Sequence, residues 1–205
     1  ARYMTLCLAS QHSLDKMQEK VKRLFDLLPD FTAQPEKPSI SVPLYREQDL
    51  GIFIGIKPVK ELHRVNLTFP MPDMSYLYKN KMLSFIAHLI GHEGKGSLFE
   101  ELKDLGFINA LSAGNGISGG NFKDFNISIS LTKNGENYID EIVAIVLNYI
   151  DLLKDKPLAE HYYQEKQSIA GLSFKYQEKS SPIDTVSQLV LNMHHYSEKY
   201  YVFGD

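Results

Sequence analysis

The stretch GNGISGGNFKDFNISISL, Gly114–Leu131, decides which fold this chain can adopt. Its glycine-rich half spells two well-known patterns. Gly114-x-Gly116-x-x-Gly119 has the spacing of a dinucleotide-binding turn, and Gly116-x-Ser118-x-Gly120 that of a serine-hydrolase nucleophile elbow. Each works only when a helix follows, to aim its N-terminus at a pyrophosphate in one case and to make a sharp strand-to-helix turn in the other. Here Phe125, Ile127, Ile129 and Leu131 alternate with polar residues at a period of two, which is the pattern of a half-buried strand. Both patterns therefore fail on context, and the glycines become a loop between two strands, FINALSA (107–113) and FNISISL (125–131). A phosphate loop fails as well, because Lys95, Gly96 and Ser97 lack the required glycine spacing.

Working outward, Thr132 is placed to cap a long amphipathic helix in which Ile139, Ile142, Val143, Val146, Leu147, Ile150 and Leu153 form one stripe, a core face. Two more helices are expected over Ala159–Lys175 and Ile183–His194. Upstream, RVNLTFP (64–70) alternates like a strand, and IFIGIKPV (52–59) reads as another. Tyr76–Ile90 reads as a helix, broken by GHEGKGS, after which Ser97 caps a short helix over Leu98–Leu105 that Gly106 ends. At the start, Tyr3–Ala9 reads as a strand and Ser13 caps a helix that Pro29 stops. Phe31–Pro43, with three prolines, is the best linker in the chain. Strand pairs interspersed with helix pairs, without regular alternation, predict an α+β fold: an antiparallel-rich sheet with helices packed on one face.

The bulk numbers exclude several classes of partner. The 205 residues carry a net charge of −3, with 43% hydrophobic and 23% charged residues. No basic footprint would attract nucleic acid or an anionic membrane, and no apolar run reaches the roughly 18 residues of a membrane helix. Cys7 is the only cysteine, so neither an internal disulfide nor a cysteine-built zinc cage is possible.

HLIGHEGKGS (88–97) invites a metal reading, since His88 and His92 sit at i and i+4. The chemistry does not close. A zincin needs a glutamate between two helical histidines, but position 96, where the second would fall after His92-Glu93, is Gly96. In the inverted order His88 and His92 stand one residue too far apart. No third ligand can be assigned, and three glycines break the helix. The better use of the stretch is a helix end with exposed backbone, able to hydrogen-bond an extended peptide. His194-His195, His161 with Glu165, and the sequons at Asn66 and Asn126 read as solvated or structural.

VNLTFPMPD, HLIGHEGKGSLFEELKDLGFINALSAG and ISLTKNGENYIDEIVAIVLNYIDLL resemble, in order, successive blocks of the insulysin/pitrilysin family of inverzincin zinc metallopeptidases, in the second domain of its N-terminal half. YMTLCLASQHSLDKMQEKVKRLF resembles the last strand and helix of that family's first domain. The resemblance covers nearly the whole chain. It implies that residues 1–35 close the preceding catalytic domain and start the linker, and that 36–205 form a second, non-catalytic domain, truncated at its C-terminus. The family's His-x-x-Glu-His motif belongs upstream of Ala1. Zinc is thus expected in the parent and no cofactor in this fragment, which would be inactive alone. The partners expected are peptide substrates and the missing catalytic domain. The resemblance further implies a surface that holds the N-terminal part of a peptide, built from His88, Gly91, Glu93, Leu111, Ser112, Ala113 and Asn115. Ser112, Ala113 and Asn115 depart from the family's residues, leaving main-chain pairing possible and side-chain selectivity open. The alternative is a piece of a non-catalytic, scaffolding relative. The compartment is open, periplasmic or cytoplasmic by resemblance. An unpaired Tyr3–Ala9 edge would favour self-association.

Overall fold

The computed structural model describes residues 4–28, 40–155 and 160–202. Pro29, most of the expected linker, Tyr3 and Ala159 lie outside them. The chain divides into two compact units, one of residues 1–39 with 176–205 and one of residues 40–175.

The larger unit is built on a three-stranded antiparallel sheet, with β1 (Arg64–Pro72), β2 (Ile108–Ser118) and β3 (Phe122–Leu131) in the order β1-β3-β2. The alternation that excluded a helix after the glycines is what makes β3 the central strand. Phe125, Ile127, Ile129 and Leu131 are buried on one face, while Asn126, Ser128 and Ser130 lie on the other. The register places Leu67 against Ile127 on one side and Leu111 against Ile129 on the other, so the apolar rows of all three strands share a face. Helices α2 (Met82–Ile90), α3 (Leu98–Asp104) and α4 (Ile139–Asp155) bury Leu83, Ile90, Leu98, Leu102, Ile142 and Val146 in the same core. Each such fully buried side chain contributes about 1.5–3 kcal/mol. The fold is α+β with helices on the apolar face of an antiparallel sheet, as the sequence predicts. α5 (Glu160–Lys175) completes the unit.

Several expectations in this unit are corrected. The glycine-rich stretch is mostly strand rather than loop: β2 runs on to Ser118 and β3 starts at Phe122, so the connection is residues 119–121 alone. IFIGIKPV forms no strand: residues 52–58 run without a ladder, and Ile54 and Ile56 stay 74% and 82% exposed. A strand exists only through its partner's hydrogen bonds, and no described segment supplies them. The helix expected from Tyr76 starts at Met82. Asp73 accepts hydrogen bonds from the Ser75 N–H (2.9 Å) and hydroxyl (3.0 Å), which sets a short 3-10 turn over Ser75–Leu77. Lys81 then adopts a left-handed φ of 48° that separates this turn from α2.

In the smaller unit, α1 (Leu14–Phe25) and α6 (Pro182–His195) are capped by Ser13 and Ser181, whose hydroxyls accept from Lys16 N–H and Asp184 N–H. Residues 4–10 pair with no strand among the described residues, so the expected strand over Tyr3–Ala9 is not formed here. Leu6 and Leu8 instead line an open groove with Met17 and Val21, and the Thr5 hydroxyl bonds the His194 ring at 2.8 Å. No helix of the described residues is long and apolar enough to cross a membrane.

Candidate functional site

β2 is an edge strand, and the direction of its backbone follows from three hydrogen bonds at the ends of β3. Leu131 N–H donates towards the β1 side, to His63 C=O (2.9 Å), whereas Thr132 N–H donates towards the β2 side, to Phe107 C=O (2.9 Å). At the hairpin end, Phe122 C=O likewise accepts on the β2 side, from Gly119 N–H (3.0 Å). Odd-numbered residues of β3 therefore bond to β1 and even-numbered ones to β2, since main-chain direction alternates along a strand. On β2, Leu111 lies opposite Ile129 and Ala113 opposite Ile127. Both face odd residues, so both turn their N–H and C=O to the open side. No backbone hydrogen bond from another described segment reaches that side between Ala110 and Asn115.

The two sheet edges are not equivalent. β1 carries Pro70 and Pro72, opposite Asp124 and Phe122. Proline has no N–H and is tolerated where its nitrogen faces away from the ladder, so the outer edge of β1 lacks donors there. The outer edge of β2 keeps the donors of Leu111 and Ala113.

The glycine-broken stretch supplies the neighbour of this edge. α2 closes at Gly91, whose N–H donates to Ala87 C=O (2.9 Å). A Cβ on Gly91 would lie 3.0 Å from the Ala87 oxygen and 3.6 Å from the Ala113 nitrogen. The glycine thus lets the end of the helix lie close to the strand, where a larger residue would put side-chain atoms against the Ala113 nitrogen. The chain then turns sharply through Gly96, at φ +77°, and the buried Ser97 hydroxyl accepts from Glu100 N–H (3.1 Å) to start α3. Glycine is required at position 96 because only it adopts that conformation without strain.

The residues that the resemblance singled out fall as follows. Gly91 and Ala113 meet directly. His88 is half-buried near the end of α2, and the exposed Glu93 makes no ion pair or hydrogen bond among the described residues. Leu111 is 6% exposed with its side chain in the core, so it offers only main chain to a ligand. Ser112 projects from the polar face, and Asn115 is exposed opposite Phe125, where a bulge begins.

An aromatic group lies beside this helix end. The ring of His92 stands 6.1 Å from that of His88 and 6.4 Å from that of Tyr162 on α5, in an edge-to-face arrangement with the latter. The ring of the adjacent His161 also lies beside Tyr162, with ring centroids 4.2 Å apart. Burial pushes the Tyr149 hydroxyl above the usual phenol range, and the nearby Tyr162 adds to the shift. Tyr162 carries no motif that would single it out in the sequence. Among the described residues, no group of three or more His, Cys, Asp or Glu side chains could hold a metal ion.

These features define an α+β domain that presents open main chain on one sheet edge beside a glycine-ended helix. A family model described as the Peptidase M16 inactive domain matches residues 1–169, and the chain belongs to that peptidase family, the family of insulysin and pitrilysin. It is 35% identical to the A-factor-processing enzyme of Saccharomyces cerevisiae over 92% of this chain and 18% of that protein. To the insulin-degrading enzyme-like 1, peroxisomal, of Arabidopsis thaliana it is 32% identical, over 100% of this chain and 21% of the other. The crystal structure of pitrilysin superposes with a TM-score of 0.86 at 26% identity, covering 95% of this chain and 21% of that one. The chain thus spans about a fifth of the length of the relatives it matches.

Proposed function

We propose that this chain is the peptide-holding part of a zinc metalloendopeptidase that degrades peptides, and that bond cleavage belongs to a metal centre elsewhere in the parent polypeptide. The carrying observation is the open edge of β2. Leu111 and Ala113 each offer an N–H and a C=O to an extended peptide, which would add as a further antiparallel or parallel strand. Main-chain pairing of this kind is indifferent to side chains, which suits a peptidase that handles varied substrates. The free carboxylate of Glu93 lies two residues beyond Gly91 and attracts the peptide's α-amino group, a charge-assisted contact stronger than a neutral hydrogen bond. His88, Gly91, Glu93 and the main chain of Leu111, Ser112, Ala113 and Asn115 form the holding surface. Its polar side is continued by the outward face of the sheet, where the Ser128 hydroxyl donates to Asn66 Oδ1 (2.7 Å). The other partner in this reading is the catalytic domain of the same polypeptide.

Two measurements test the reading. Titration of short unblocked peptides into the chain should show saturable binding, weakened roughly three- to tenfold by acetylating the α-amino group or by Glu93→Gln. Gly91→Leu would lay a side chain over the Ala113 N–H and should abolish binding with the circular dichroism spectrum unchanged. Peptides that bind equally well to the Gly91→Leu variant would sink the proposal.

A further inference from the structure

The holding surface ends against rings. His92 directly follows Gly91, its ring packs over the backbone of Gly94, and Tyr162 meets it edge to face at 6.4 Å. Tyr162 is half-buried, and the ring of its neighbour His161 lies 4.2 Å from it, centroid to centroid. His88 extends the row at 6.1 Å. The row begins one residue from the α2 end that touches Ala113, and Glu93 is its immediate neighbour. A peptide whose α-amino group sits at Glu93 therefore places its first side chain within reach of these rings, since one extended residue spans about 3.3 Å.

We propose that Tyr162, with His92, reads the first side chain of the bound peptide and favours an aromatic one. This rests on the peptide-holding role proposed above and names the substrate class of the same surface. Three physical points support it. Ring pairs in edge-to-face or offset-stacked geometry gain attraction beyond the area they bury, because the positive ring edge meets the negative ring face. Tyr162 is already half-buried and in ring contact with His92 and His161, so little side-chain freedom is lost when a further ring arrives. An aliphatic first residue would bury similar area without the ring–ring attraction. A polar or charged one would have to shed water against aromatic carbon. Main-chain pairing along β2 contributes equally to all of these peptides, so discrimination falls on this ring cluster. Tyr162 is a specificity residue with no part in cleavage.

The test uses three unblocked peptides identical except for a first residue of Phe, Leu or Lys, titrated into the full 205-residue chain by fluorescence anisotropy. The Phe-first peptide should bind about three- to tenfold tighter than the Leu-first one, with the Lys-first one weakest. Tyr162→Leu should bring the Phe:Leu ratio to within about twofold, and Tyr162→Phe, which keeps the ring, should preserve it. Binding of all three peptides with no ring preference, or a preference that survives Tyr162→Leu, would overturn this inference and leave main-chain holding intact. Failure of every peptide to bind would overturn both. Should Tyr162→Leu misfold, the ratio in the wild type and in His92→Ala decides: a ratio unchanged by His92→Ala, or absent in the wild type, counts against it.

Discussion

A single missing atom governs the turn from β3 towards α4. Gly135 is buried where β3 leads into α4, and its N–H donates to the Thr132 hydroxyl (2.9 Å), which in turn donates to Gly106 C=O (2.7 Å). A Cβ on Gly135 would run into the Phe107 carbonyl, a backbone atom that cannot rotate away. That carbonyl also accepts from Thr132 N–H, so moving it loosens the junction of β2, β3 and α4 together. Gly135→Ala should therefore destabilise the chain by about 1–3 kcal/mol. In a chain of this size each kcal/mol lowers the melting temperature by about 2–4 °C. An unchanged thermal melt would show that the backbone relaxes more freely than its packing implies. Thr132 was expected to cap the long helix; its hydroxyl instead holds the turn into the 3-10 segment Gly135–Tyr138, and α4 starts only at Ile139. The demand on Gly135 was not legible in the sequence, because it comes from Phe107, which approaches only through the fold.

Elements were legible where local chemistry and packing agree. The alternation of FNISISL, the stripe of α4 and the hydroxyls of Ser13 and Ser97 each named a strand, a helix or a helix start that the structure contains. They failed where one segment's state depends on another. IFIGIKPV has strand-forming residues on both faces, the mark of a strand covered on both sides, yet nothing described pairs with it. Ser97 provides a direct test of local coding. Its side chain is 4% exposed and supplies the hydroxyl that satisfies Glu100 N–H at the first turn of α3. Ser97→Ala should cost about 1–2 kcal/mol, the usual cost of losing a cap, with the unsatisfied N–H placing it in the upper part of that range. Ser97→Thr keeps the hydroxyl and should cost less. Chemical denaturation of the three proteins orders them, and an Ala variant as stable as the wild type would mean α3 is held by Leu98, Phe99 and Leu102 alone.

At the scale of the whole molecule, the proposed function separates holding from cutting along the polypeptide. The seven histidines include none in the His-x-x-Glu-His arrangement, and no described cluster of three ligands could replace it. What the domain would offer to a peptide, on the proposed reading, is geometry: two residues of open main chain, a carboxylate and a row of rings. The proposed holding surface was suggested in the sequence only through family resemblance. Pattern alone marked Leu111 as core, which its side chain is, and could not show that its backbone faces outward. Tyr162 was invisible because only folding brings α5 to the end of α2. Binding without cleavage is therefore the expected behaviour of the isolated chain. Incubated with a quenched fluorescent peptide and added zinc, it should release no fluorescence above a heat-denatured control, while the same peptide still competes for the β2 edge. Rejoined in one polypeptide with a domain carrying the intact motif, it should lower the KM for peptides with a free α-amino group more than for acetylated ones. Holding energy common to substrate and transition state appears in KM and leaves kcat unaltered. Cleavage by the isolated chain that a chelator abolishes would place a metal centre within these residues and overturn the division of labour.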